Sequence, residues 1–293
     1  MRHDMKTIRL IYPQWQGGDI ARWIPEIDDK DFAARGYALG ARLLDWLVPA
    51  GDTETYTVPV ATGPAPRVVA DGVLDRDIIA RQTRAALDIL GVASPDRIVT
   101  LGGECSTSVA PFTYLSDRYD GDLAVVWIDA HPDITLPGDA YTGYHAMAVT
   151  ACMGMGDRQI TGILPARIDP SRIMYVGLRD WERDEIRLRH RRYGIPFATP
   201  EAMRTDSREV TDWLKTCGAS RVAIHLDLDV LDPAEIIAAV GIIDGGMTMA
   251  EVSRTINDIA NEKELVALTV AEHMPRTAMR MQMLLGSLPL IGR

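Results

Sequence analysis

The chain has 293 residues, 47% hydrophobic and 25% charged, with 31 Lys and Arg against 41 Asp and Glu for a formal net charge of −10. That length can bury a large core, as one big α/β domain or two smaller ones, and the acidic balance disfavours nucleic acid and anionic membranes as partners, since both want a basic face. Three cysteines, Cys105, Cys152 and Cys217, are too few and too scattered for a disulfide framework and predict a reducing, cytoplasmic compartment. The opening "MRHDMKTIRLIYPQWQGGD" has only a short apolar stretch, broken by Pro13, unlike a signal peptide. No run approaches the roughly 18–20 apolar residues of a membrane span.

Apolar runs alternate with helical patterns along the chain. A strand-like run at 7–13 precedes a predicted helix at about 30–48. Residues 51–72, rich in Gly, Pro and Thr, read as an irregular excursion holding a hairpin or edge strand, with a strand-like run at 55–60. Then come a helix at 76–90, a strand at 97–103, a helix at 107–118, a strand at 123–129 and a helix at 144–155. A Gly-rich loop at 156–171 leads to a strand at 172–180, helices at 183–192 and 200–217, a strand at 222–230, a helix at 248–262 and a strand at 265–273. Gly91 and Gly218 fall where helix C-caps belong, and Thr248 followed by Glu251 reads as a capping box. Several strands are apolar almost throughout, as in a parallel sheet covered on both faces. The expectation is one α/β domain over 1–293: a three-layer α/β/α sandwich around a doubly wound, mostly parallel sheet.

Polar residues gather where these strands end. "GGECS" puts Glu104 and Cys105 past the run at 97–103; "DAHPD" gives Asp129, His131 and Asp133; "HLDLDVLDP" gives His225, Asp227, Asp229 and Asp232; "AEHMP" gives Glu272 and His273. Ligands of an open parallel sheet sit beyond its carboxyl edge. If the chain stays extended, alternation puts Asp129, His131 and Asp133 on one shared side of their strand end, and likewise Asp227 and Asp229 on one side of theirs. Carboxylates converging without a counter-charge would repel in a dry crevice, and divalent cations remove the conflict. Oxygen-rich donors with a few imidazoles suit Mn²⁺ or Mg²⁺, and their number fits two ions about 3.5–4 Å apart. Taken singly, the pieces have plainer readings: Cys105 a buried small hydrophobe, His225 a hydrogen-bonded core histidine whose parity matches Asp227, His190 a solvated helix residue.

"GGECS", "DAHPD", "HLDLDVLDP" and "AEHMP" resemble, in order and with similar spacing, the four signature segments of the ureohydrolase (arginase/agmatinase) superfamily. Its members hydrolyse guanidino or related amidine C–N bonds at a binuclear manganese centre and usually form trimers or hexamers. The resemblance therefore implies a hydrolase of a small guanidino substrate, an arginase-like fold, two Mn²⁺ ions and a homo-oligomer. By position it implies that Asp129 and Asp227 bridge the ions, Cys105 and Asp133 hold the first, and His131 and Asp229 the second. Catalytic roles fall to Glu272, which would pair with the guanidinium, to His145 in "TGYHAMA" as proton shuttle, and to Asp133. Thr135, Asp180 and Glu182 would face the substrate's amino-acid end, and Asp232 would brace a turn.

The sequence departs from that pattern in places. Where the superfamily has "GGDH", this chain has Gly102, Gly103, Glu104 and Cys105, so a thiol replaces an imidazole ligand and the first position turns toward Zn²⁺ or Fe²⁺. A similar cysteine marks a branch acting on Nω-hydroxyarginine, which makes a hydroxyguanidine a candidate substrate beside arginine and agmatine. Thr135 stands where arginase-like members have Asn, and Glu182 is longer than their usual Asp. Two rivals remain: a single-zinc, deacetylase-like amide hydrolase, and a non-catalytic protein on the same scaffold.

Overall fold

The computed structural model describes residues 5–49, 51–63 and 66–291. Strand β1 (Thr7–Tyr12) leads to helices α1 (Lys30–Ala34) and α2 (Gly36–Leu47), edge strand β2 (Glu54–Thr57) and a small antiparallel hairpin, β3 (Val69–Ala70) and β4 (Val73–Leu74). Next come α3 (Arg76–Ala93), β5 (Arg97–Gly102), α4 (Val109–Arg118), β6 (Leu123–Ile128), α5 (Ala148–Cys152), α6 (Arg158–Thr161) and β7 (Ile173–Val176). The chain then forms α7 (Asp184–Tyr193), β8 (Phe197–Ala198), α8 (Arg208–Thr216), β9 (Arg221–Asp227), α9 (Met249–Glu262), β10 (Glu264–Ala271) and α10 (Arg276–Ser287).

Eight strands make one sheet in the order β2-β1-β5-β10-β9-β6-β7-β8, with every neighbouring pair parallel. Strand β6 shows why the sheet lies between helices. Every residue of "LAVVWI" is buried. Val125 and Trp127 join the apolar cluster built with α3, α4 and α5, while Ala124, Val126 and Ile128 join the one built with α8 and α9. A period of two divided between two cores is a strand covered on both faces. The fold is the expected three-layer α/β/α arrangement around a doubly wound parallel sheet.

Local differences from the sequence reading have local causes. The helix expected at 30–48 breaks at Arg35 into α1 and α2. Gly91 lies inside α3, and Ser94, with φ +48°, makes the left-handed C-cap instead. Gly218 does follow α8, at φ +76°. The helix expected from 200 starts only at Arg208, after a run of turns. Strand β7 stops at Val176 because Gly177 takes φ +87°. The loop at 156–171 contains α6, β8 is only two residues long, and α10 is a further helix that the sequence expectation does not include. The capping box is as expected: Thr248 Oγ1 accepts from Glu251 N at 3.2 Å, and Glu251 Oε2 accepts from Thr248 N at 2.7 Å.

Helix α2 braces the segment that leaves β10. A Cβ placed on Gly40 would lie 1.8 Å from the carbonyl oxygen of His273, a backbone atom that cannot swing aside. Gly40→Ala is therefore expected to destabilise the protein by about 1–3 kcal/mol, the usual range for overpacking. A lowered midpoint in urea denaturation would show it, and an unchanged midpoint would mean that the two backbones are not held so close.

Candidate functional site

The four central strands, β5, β10, β9 and β6, end side by side at one edge of the sheet, and each delivers polar side chains there. After β5, Glu104 caps a single 3-10 turn, Cys105–Ser108, by accepting from Ser106 N at 2.8 Å, which fixes Cys105 in a buried position. Glu104 itself turns away from the crevice, toward Gln14 Nε2 at 2.6 Å and Ser106 Oγ at 2.8 Å. After β10, the Glu272 amide donates to Gly103 O at 2.9 Å, and its backbone is left-handed at φ +66°.

The convergence at β6 and β9 does not come from extended alternation. Asp227 ends β9, and Leu228–Val230 is a 3-10 turn whose Asp229 amide donates to Asp227 Oδ1 at 2.6 Å. Beyond β6 the His131 amide donates to Asp129 Oδ1 at 2.6 Å, and Asp133 sits at φ +49°. Each first aspartate caps the bend that carries the next functional residue, so the expectation of a straight strand is corrected while the residues still meet.

Ligand atoms of Asp129, His131 and Asp229 lie within 4.8 Å of one another, as do those of Cys105, Asp129, His225 and Asp227, and those of Cys105, His145 and Glu272. His131 Nδ1 is 2.9 Å from Asp229 Oδ2. Cys105 Sγ is 3.0 Å from Asp227 Oδ2 and 3.4 Å from Glu272 Oε1. His145 stands between Tyr141 OH, 2.6 Å from Nε2, and Glu272 Oε1, 3.2 Å from Nδ1. Asp133 belongs to none of these groups; its Oδ2 is buried with no hydrogen-bond partner among the described residues.

Burial and mutual repulsion govern the charges. Burial, then the charge of Asp229, pushes the Asp129 carboxyl up to about 7. Burial likewise raises Asp133 and Asp227 well above the carboxylate range, aided by Asp129 and Asp229 respectively. The Cys105 thiol is pushed up by burial and by Asp133 and Asp227. Burial opposes ionisation of Asp229 too, but His131 outweighs it and holds that carboxyl down at about 2. Burial works against protonated His131 and His145, yet Asp229 for the first, and Tyr141 with Glu272 for the second, keep both imidazoles well above their usual range. Burial takes His225 the other way, to about 3.

A cavity of about 640 Å³ opens over this edge. Cys105, His131, Asp133, Thr135, His145, Asp180, Glu182, Asp227, Asp229 and Glu272 all face it, and Asp129 lies fully buried beneath. The sequence reading passed over Tyr37, Tyr141, Arg22 and the apolar wall at 240–243, which also line the cavity. Tyr141 carried a usable signal, four residues before His145; the wall, with no polar side chain, carried none. His190 is not solvated: it is buried among the rings of Tyr175, Trp181 and Phe197.

A family model described as Arginase family matches residues 50–286. The chain belongs to the arginase family. It is 32% identical over 189 residues to an arginase of Eremothecium gossypii, covering 61% of this chain and 47% of that protein. It is 26% identical over 187 residues to an arginase of Entamoeba histolytica, covering 61% and 62%. The chain thus spans about half to two thirds of the length of these arginases. The crystal structure of Entamoeba histolytica arginase in complex with L-ornithine superposes with a TM-score of 0.73 at 18% identity, covering 94% of this chain and 93% of that one, which supports the arginase fold. The family implies a divalent metal. The residues present fit one, since ionisable groups crowd within ligand distance of one another and buried Asp133 Oδ2 and His225 Nε2 lack partners among the described residues.

Stability should report on this crowding. Asp129 titrates near 3.8 when unfolded and about 7 when folded, so the native state binds more protons in that window and stability falls as pH rises through it. Asp133 and Asp227 act in the same direction. His225, at about 3, offsets part of this up to about pH 6.5, so the chelator-treated protein is expected to lose stability on balance between about pH 4 and pH 7 in urea titrations, and saturating Mn²⁺ or Zn²⁺ to restore about 2.7 kcal/mol at a hundredfold excess over Kd. A flat pH profile that metal leaves untouched would contradict the crowding.

Proposed function

We propose that the protein is a divalent-metal-dependent amidinohydrolase that cleaves the guanidino C–N bond of a small arginine-related molecule and releases urea or a close analogue. The observation that carries this reading is the placement of Glu272 and His145, 3.2 Å apart, beside the acid cluster in the cavity. A planar cation there would be oriented by charge-assisted hydrogen bonds to Glu272. His145, whose ring is fixed by Tyr141 and Glu272, is placed to give the leaving amine its proton. Cys105, Asp129, Asp133 and Asp227 would hold a divalent cation at one position, and Asp129, His131, Asp227 and Asp229 one at the other; when bound, such ions would lower the pKa of a water enough for it to be the nucleophile at neutral pH. Mn²⁺ is the expected metal, with Zn²⁺ or Fe²⁺ favoured at the first position by the Cys105 sulfur.

Thr135, Asp180 and Glu182 would meet the far end of the substrate. Arg22 and Arg183 line the same cavity, which suits a tail with an anionic group and favours arginine or Nω-hydroxyarginine over agmatine. A one-zinc amide hydrolase would need neither Asp133 nor Glu272. The same reading takes the chain as a single domain and a cytoplasmic homo-oligomer, trimeric or hexameric.

A urea-release screen over arginine, Nω-hydroxyarginine and agmatine tests the proposal. Asp227→Ala is expected to abolish turnover, and Glu272→Gln to lower kcat/KM by about 10–100-fold, the worth of roughly 1.5–3 kcal/mol for hydrogen bonds to a charged group. Full activity after exhaustive metal removal, or release of acetate rather than urea from a mixed panel, would overturn it.

A further inference from the structure

Histidine 225 has no place in the roles above, yet it sits in the middle of the site. It lies on β9 two residues before Asp227, fully buried, with its ring stacked on Trp127 at 3.7 Å between centroids and 15° between planes. Trp127 is its register partner across the β6–β9 pair. Nδ1 is 2.8 Å from Ser108 Oγ. Nε2 has no hydrogen-bond partner among the described residues and lies 4.0 Å from Asp129 Oδ2. A core histidine would be expected to satisfy both nitrogens, because a buried polar atom left unpaired costs about 1–3 kcal/mol. Here the unsatisfied nitrogen is aimed into a nest of ligand atoms from Cys105, Asp129 and Asp227.

We propose that His225 Nε2 is a ligand of the first metal position, completing with Cys105 Sγ, Asp129 and Asp227 a donor set that takes zinc or iron(II) in preference to manganese. The proposal rests on the metal-dependent reading above and is independent of the substrate. Its logic is an exchange. The residue after β5 supplies sulfur in place of an imidazole, and β9 supplies an imidazole from deeper in the sheet. One sulfur, one nitrogen and two carboxylates are donors that zinc takes, and expansion to five-coordinate leaves a position for the water the proposed function needs. The surroundings are those of a ligating histidine. Ser108 Oγ lies within hydrogen-bond distance of Nδ1, and in the tautomer where Nδ1–H donates to it the Nε2 lone pair faces inward. Trp127 sets the ring plane, and its indole Nε1 also donates to Asp129 Oδ2 at 2.9 Å, so one residue orients two ligands. Asp133, outside this group, faces it from the cavity side and is free to add a carboxylate to the set.

The test loads His131→Ala protein, whose other position has lost its imidazole, with one equivalent of Zn²⁺ for X-ray absorption and of Co²⁺ for optical spectroscopy. Expected are a sulfur-to-cobalt charge-transfer band together with imidazole scattering around the zinc. In His131→Ala/His225→Gln the sulfur signal should remain while the imidazole scattering disappears and zinc affinity, measured against a chromophoric chelator, falls at least about tenfold. Imidazole scattering and affinity unchanged by His225→Gln would overturn the proposal. Should the double variant fail to melt cooperatively, Ser108→Ala in the native chain decides. Loss of an orienting partner costs a true ligand about 10–100-fold in metal affinity and costs a core histidine none, so native zinc affinity in Ser108→Ala would also overturn it. Guanidine hydrolysis that survives either negative result leaves the proposed function standing. A native protein that binds no metal at all would remove both.

Discussion

Five acids, Asp129, Asp133, Asp227, Asp229 and Glu272, are buried together at the carboxyl edge of four adjacent strands. Like charges so placed cannot all ionise without a compensating cation. His131 compensates part of the cluster, since it draws Asp229 down to about 2, while Asp129, Asp133 and Asp227 are left raised. On the proposed function, the remaining deficit is what would draw divalent ions to the edge and, in the space above it, a cationic guanidinium. The cavity, the orientation of His145 and the choice of capping turns all serve that one imbalance.

Sheet order is what gathers the acids. Strands β5 and β6 are consecutive in the chain but stand apart in the sheet, with β10 and β9 inserted between them. A crevice opens at such a switch, and the side chains that close it come from segments more than a hundred residues apart. The rim is then stiffened by hydrogen bonds that run from one strand end to the next: Gly103 O takes the Glu272 amide, Asp229 Oδ1 takes the Ala130 amide at 3.2 Å, and Val176 O takes the Asp129 amide at 2.9 Å. Cys105, held by the turn that Glu104 caps and by its amide's hydrogen bond to Glu272 Oε1 at 3.1 Å, is buried among its acidic neighbours.

Much of this was legible in the residues. Apolar runs buried on both faces announced a parallel sheet, and polar groups at their carboxyl ends announced where a ligand would sit. Thr248 and Glu251 announced a helix start to the residue. What escaped was set by contacts that sequence period does not carry. Gly91 stays helical because nothing crowds it and Ser94 can take the left-handed turn. His190 is buried because aromatic rings from β7, β8 and the segment before α7 close over it. The alternation argument expected these aspartates to converge, and they do, but through a different geometry, since capped turns rather than extended backbone bring Asp133 and Asp229 round. His225 was visible as sharing parity with Asp227, but only its unsatisfied nitrogen distinguishes it from an ordinary core histidine.

The left-handed backbone at Asp133 and Glu272 bears on how this protein can change. Such a conformation costs a long side chain like that of Glu272 of order 1–3 kcal/mol and an aspartate less, and glycine would hold either more cheaply. Any search for hardier variants, in the laboratory or under heat selection, would therefore be drawn early to these two positions, and each success would strip an acid from the cavity. Robustness and chemistry compete at the same two bends, so tolerance to heat must be sought elsewhere in the chain if the site is to survive.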